Sequence, residues 1–590
     1  MRFAVAFAVA VCGLWGQSLT EPLPMIAGDP LQALRLSLAS GPGRATVERV
    51  AAEGAEFNEA LKLTTSALPS NEWDIRVRTL GAAAVKRDDA VLATFWLKCL
   101  EPTNGECVVR LNVERRDSPY TKSYSQPLLA GPDWRQFKIY FQMAEDYAPG
   151  GYYVDFWFSQ QTQVALLGGV AVNNYGPGVK AVDLGLDPLY EGAAPDAPWR
   201  AAAEERIEQI RKGDLAVEVV DGEGNPVPGA EVRARMTRHA FGWGTAIAAD
   251  LLLGERRSAS GTDVENYRRM FLENFNMVVF ENDLKWPQWE ANRARALNGI
   301  QWMLDHGITK IRGHNLVWPN WQYLPADLSK LQSDPEALRK RVLDHIQDEV
   351  AATRGSVQEW DVLNEPYTNK ALQQILGDAE MAAWFKKARE YDPGVALFVN
   401  DYNILAANGA DIAHRNGYYD IIRYLIEQEA PLDGIGMQGH FGSPTPPEMM
   451  RWILDRFAPF GKQIEITEFD FNTKDEALQA AFTRDLLITA FSHPAVTNFL
   501  MWGFWEGSHW LPQGAMVRKD WSVKPNFEVW REMVYGKWWT DEKGAAGEDG
   551  VFRVRGFRGD YEVEAAQGER KGRAVVSIGT EGASVKVVLN

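Results

Sequence analysis

Two glutamates stand where apolar, strand-like runs stop: Glu365 in "EWDVLNEPY" and Glu468 in "QIEITEFDF". A single acid at a strand end is usually a solvated loop acid. Two of them facing one cleft could cleave a glycosidic bond. One must hold a proton for the leaving oxygen, and the other must stay ionised to attack the anomeric carbon. An ionised neighbour raises the acid's pKa, which falls once the nucleophile is esterified. His440 in "GMQGHF" is placed to hydrogen-bond Glu468, and Asp470 can hold the other imidazole nitrogen. Asn364, just before the acid, can reach a sugar 2-hydroxyl. This set needs no metal or cofactor. The histidines fall neither at i, i+4 on a helix nor in a Cys/His cluster, although a structural Ca²⁺ in the β modules stays open.

The elements that must position these groups are also legible. Eight strand-like runs, "FGWGTAI", "MVVFEN", "KIRGHNLVW", "EWDVLNEP", "ALFVNDY", "GIGMQGHF", "QIEITEFD" and "NFLMWGFW", alternate with amphipathic helical stretches. Eight such units over about 300 residues predict a (β/α)8 TIM barrel, whose chemistry sits at the C-terminal ends of its strands. Every run but the first ends in polar or aromatic groups. They are Glu281 and Asn282 with Lys285; His314 and Asn315 with Trp318; Asn364 and Glu365; Asn400 and Asp401; Gln438 and His440; Glu468 and Asp470; and Trp502 and Trp505. Singly, each has an ordinary reading: Glu281 and Lys285 a surface pair, His314 a core histidine, Asp401 and Tyr402 a brace. Seven ends converging on one rim point to a site.

"GHNLVW", "WDVLNEP", "NDYN", "GMQGH" and "ITEFD", in this order between Phe241 and Tyr535, resemble the motifs of glycoside hydrolase family 10, the retaining endo-β-1,4-xylanases. The resemblance implies Glu365 as acid/base and Glu468 as nucleophile. Glu281, Asn282, Lys285, His314, Trp318, Asn364, Gln438 and His440 become sugar contacts, and Trp502 and Trp510 floor the cleft. Pro319 stands where the family often has a second His, and "ENDLKW" runs straight into "PQWEANRARA", which bears on subsite preference. Endo-cleavage of xylan is therefore expected. The alternatives are another β-1,4-glycan such as cellulose, or a non-catalytic polysaccharide-binding barrel.

The chain has 590 residues, 46% of them hydrophobic, enough for several domains with large cores. A net charge of −17 argues against nucleic acid or an anionic membrane surface as partner. The 22 Trp exceed ordinary usage, and surplus Trp suits stacking on sugar faces. Residues 1–18, with Arg2 before an apolar run, read as a signal peptide for a secreted or periplasmic protein. A monomer is expected. In such a compartment Cys99 and Cys107 are either a disulfide or two buried thiols. Residues 30–178 alternate in the β manner and read as a sandwich or jelly roll, with segments resembling carbohydrate-binding modules. A Pro/Gly-rich linker (179–198) follows, then a helix and small β segment (199–240), the barrel (241–537) and a C-terminal β segment (538–590). The last either pairs with 213–240 around the inserted barrel or stands apart.

Overall fold

The computed structural model describes residues 21–38, 44–102, 105–187 and 189–590. The expected signal peptide lies outside them. The chain divides into two compact units at Leu186/Asp187.

The first unit is a β-sandwich of two antiparallel sheets. One is built on the long strands Asp89–Glu101 and Gln163–Pro177, the other on Ile75–Leu80, Tyr152–Trp157 and Cys107–Arg115. Alternate residues such as Val91, Phe95, Leu111, Val113, Val154 and Phe156 fill the space between them. A disulfide joins Cys99 to Cys107. The sandwich begins earlier than residue 30: Leu23–Pro24 pairs with Asn174 and Asn173. This edge pairing is too short and proline-marked to show period-two alternation.

The second unit holds the barrel. Its strands are β1 (Gly242–Ile247), β2 (Met277–Phe280), β3 (Lys310–Val317), β4 (Glu359–Asn364), β5 (Ala396–Asp401), β6 (Gly434–Met437), β7 (Gln463–Phe471) and β8 (Val496–Met501). All neighbours are parallel, and β1–β8 and β6–β7 pairings close the cylinder. The strands are buried throughout or nearly so, because side chains fill the interior on one face and helices cover the other. The helices start where the chain supplies caps. Ser260 and Asp263 form a capping box, and Asp334 accepts from the Ala337 N–H at 3.1 Å before Pro335. The run read as one sixth strand is two: β6 stops at Met437, and His440–Phe441 forms a separate pair with Asp470–Phe471.

Both flanks of the barrel build one small β module. Lys212–Val220 lies between Val551–Phe557 and Ala583–Val588, and Glu231–His239 between Asp541–Ala545 and Gly559–Gln567. The segment before it is tied down rather than loose. Tyr190 Oη donates to Asp485 at 2.7 Å, and Arg200 grips both oxygens of the same carboxylate. Further on, Arg211 donates to the carbonyls of Phe491, His493 and Val496. Among the described residues no helix is long and apolar enough to cross a bilayer.

Candidate active site

Glu365 follows the last residue of β4 in left-handed backbone conformation, φ 53°. A non-glycine residue pays for this geometry, so surrounding bonds must hold it. They do: its N–H donates to Asn400 O at 2.7 Å, and the Tyr367 N–H donates to Asp401 Oδ2 at 3.2 Å. The carboxyl accepts from Gln438 Nε2 (3.0 Å) on Oε1, and from Trp318 Nε1 (3.1 Å) and Asn369 Nδ2 (3.2 Å) on Oε2. These three donors are uncharged. Burial, with the fields of Glu468 and Asp401 adding to it and the hydrogen bonds opposing, pushes the Glu365 pKa up to about 7.

Glu468, on β7, is fully buried yet its pKa is held below the usual carboxylate value. Burial alone would raise it. The hydrogen bond from His440 and the fields of His314 and His440 outweigh that. His440 Nε2 lies 3.1 Å from Glu468 Oε2, and Nδ1 lies 3.0 Å from Asp470 Oδ2. Burial disfavours charge on the ring, but the two carboxylates raise its pKa to about 10, so an imidazolium donates to both. Oε1 of Glu468 accepts from Asn400 Nδ2 at 2.8 Å.

Asn400 joins more of the site than its place at a strand end shows. Its Nδ2 also reaches Asn364 Oδ1 (3.0 Å), and its Oδ1 accepts from Thr467 Oγ1 (2.8 Å), so one amide ties β4, β5 and β7 together. It has room because β6 carries Gly436, where a Cβ would sit 2.4 Å from Asn400 Oδ1. The Asn364 Nδ2 is left without a partner among the described residues.

The remaining predicted residues fall around this pair. Lys285 Nζ donates to Asn282 Oδ1 at 3.0 Å and sits 5.4 Å from the Trp318 ring centre. Burial depresses its pKa, against the fields of Glu468, Glu281 and Glu365, while burial raises that of Glu281. His314 contacts Trp502 edge-on at 5.2 Å, and its Nδ1 lies 2.9 Å from Asp361 Oδ2. Asp361, the acid that interrupts the apolar run of β4, is held below its usual pKa against burial chiefly by Arg312. That guanidinium also reaches Glu359 (2.9 Å) and Glu465 (2.6 Å) inside the barrel, where burial and the field of Glu359 push the Glu465 carboxyl well above its usual pKa. Trp510 is half exposed and donates from Nε1 to Asp470 Oδ2 at 2.7 Å, so its ring is an open wall above His440. Trp505 is not part of the group, since it stacks on Trp521 at 4.4 Å. Trp318 and Gln438, expected against the sugar, place their polar atoms on Glu365. Among the described residues no cluster of three or more His, Cys, Asp and Glu is arranged to hold a metal ion.

The site therefore presents one carboxyl kept protonated near neutrality and one kept ionised, at the mouth of a parallel barrel. The family model for glycosyl hydrolase family 10 matches residues 235–531, half of the chain. Among curated relatives, endo-1,4-beta-xylanase 1 of Arabidopsis thaliana is 31% identical over 61% of this chain and 37% of its own length. The anti-sigma-I factor RsgI6 of Acetivibrio thermocellus is 34% identical over 62% of this chain and 46% of its own. The chain thus spans less than half the length of either. A solved structure, xylanase 10B from Thermotoga petrophila RKU-1 in complex with xylobiose, is 27% identical and aligns with 50% of this chain and 95% of that one, at a TM-score of 0.45. With its motifs in order and matched across the whole barrel, the chain belongs to glycosyl hydrolase family 10.

Proposed function

We propose that this protein is a retaining endo-β-1,4-xylanase that works by double displacement. The observation that carries the reading is the opposed state of the two carboxyls: Glu365 up to about 7, Glu468 below the usual range. In the first step Glu468 attacks the anomeric carbon while the Glu365 proton passes to the departing glycosidic oxygen, leaving a glycosyl ester on Glu468. The ester has no charge, so Glu365 loses a repelling neighbour and its pKa falls. It then takes a proton from water as that oxygen attacks the anomeric carbon and frees Glu468. Asn400 and His440 each hold one oxygen of the nucleophile, and the unpartnered Asn364 Nδ2 suits a sugar 2-hydroxyl.

Xylan is proposed over glucans because Lys285 packs against Asn282 (3.0 Å) and the Trp318 ring (5.4 Å to its centre) just beyond β2, the place where a hexose would have to fit its extra hydroxymethyl. The curated relative named as an endo-1,4-beta-xylanase supports the same substrate. Export is supported by the Cys99–Cys107 disulfide and the apolar run after Arg2. Reducing-end release from xylan and from carboxymethylcellulose tests the assignment. Faster turnover of xylan is expected, and faster turnover of the cellulose derivative overturns the substrate. Binding of xylan with no turnover of either would instead fit a polysaccharide-binding barrel.

A further inference from the structure

The outward face of one sheet in the N-terminal sandwich is built in a way that packing does not require. Along Tyr152–Trp157, Tyr152, Val154 and Phe156 enter the core, so Tyr153, Asp155 and Trp157 point outward. Across the sheet Trp157 is flanked by Arg76 and Arg110, Asp155 by Arg78 and Asn112, and Tyr153 by Glu114. The outward face of a sheet at a sandwich surface is ordinarily wet. Here Asp155 and Asn112 are 0% exposed and Trp157 6%. Their neighbours rise around them: Trp73, 51% exposed, stands edge-on to Trp157 at 6.4 Å, and Arg78 lies 4.3 Å from the Tyr153 ring centre.

Several buried polar atoms on this face lack partners among the described residues: Arg76 Nε, Arg110 Nε, Asn112 Nδ2 and Asp155 Oδ1. Such atoms are costly unless something else satisfies them. The charges are matched locally. Arg76 reaches Asp155 (3.4 Å) and Glu114 (3.5 Å), Arg110 reaches Glu72 (3.3 Å), and Lys122 reaches Glu114 (2.8 Å). Each of these cations has a carboxyl against it, and Arg78 lies over the Tyr153 ring, so none stands bare for an anion. Burial also raises Asp155 to about 7, giving a carboxyl able to donate as well as accept. Donors and acceptors mixed between flat aromatic rings suit a neutral polyol with apolar C–H faces. Tyr153 and Trp157 are four residues apart on one strand, about 13 Å, which is longer than a single pyranose ring.

We propose that this face is a binding site for a neutral β-1,4-linked glycan chain, with the exposed Trp73, backed by the buried Trp157, and the half-buried Tyr153 as stacking rings, and Asn112, Asp155 and the flanking arginines as hydrogen-bonding groups. The choice of β-1,4 linkage rests on the xylanase reading of the barrel; the site itself does not. The test uses the full chain carrying Glu468→Ala, so that ligand is not consumed, in affinity electrophoresis with soluble xylan, mixed-linkage glucan and mannan. Adding Trp73→Ala or Tyr153→Ala should weaken retardation on at least one polymer by about tenfold, at unchanged melting temperature. Binding by the barrel is common to all variants and cancels. Retardation that neither substitution alters, or none on any polymer, overturns the proposal. Should the chain with Glu468 intact fail to cleave xylan while Trp73→Ala still abolishes retardation, the barrel reading fails and this one stands.

Discussion

The two sides of the barrel mouth hold the same kind of side chain in opposite states. Around Glu365 the donors are Gln438, Trp318 and Asn369, all neutral, so burial decides and the proton stays on. Around Glu468 burial is greater, yet one donor is an imidazolium clamped between two carboxylates, and the proton leaves. In the proposed roles, what separates acid from nucleophile is the charge of the hydrogen-bond donor, not depth.

The comparison is broken most severely by removing either side. Glu468→Ala should reduce turnover of both xylan and aryl xylosides by about 10⁴-fold or more. Glu365→Ala should cost about 10²–10⁴-fold on xylan. It should largely spare the first step on an aryl xyloside whose phenolate leaves unaided, and azide should restore turnover as a β-xylosyl azide. Equal losses on both substrates for Glu365→Ala would remove it from the acid role.

Altering the donors sharpens the comparison. His440→Gln takes away the imidazolium, so Glu468 titrates higher and the acidic limb of kcat/KM should move up by about 1–2 pH units. An unmoved limb would deny His440 its part. Stability carries the same sign information. Glu365 holds a proton in the folded chain between the ordinary glutamate value of 4.5 and about 7, so folding stability falls as pH rises through that window. The effect is worth about 3 kcal/mol at full ionisation. Glu365→Gln should therefore melt a few degrees higher than the parent at pH 8 and alike at pH 4, followed by calorimetry. The smallest effect belongs to Asp401, whose field helps keep Glu365 protonated and whose Oδ1 lies 2.8 Å from His414 Nε2. Asp401→Asn should lower the basic limb by about half a pH unit.

The carboxylate pair and the eight strands were legible because both are local: an apolar run ending in a polar residue records one strand and its mouth. The identity of what each polar residue touches was not. Asn400 looks like any strand-end amide until Gly436 on the neighbouring strand leaves space for it. The motif says only that Trp318 and Gln438 face the cleft; that their polar atoms also meet Glu365, from just beyond β3 and β6, is visible only in the fold. Trp505 shared a run with Trp502, yet the chain turns after Met501 and carries it to Trp521. The buried outer face of the sandwich was hidden for the same reason, since Asp155 and Asn112 meet only across strands.

The most direct test of the two roles is to trap the intermediate. Incubation with a 2-deoxy-2-fluoro-β-xyloside bearing a good leaving group slows the second step, so the glycosyl ester accumulates and its peptide can be identified by mass spectrometry. One fluoroxylosyl group on the peptide containing Glu468 is the predicted result. An adduct on Glu365, or no adduct together with an α-configured first product by NMR, would contradict the account.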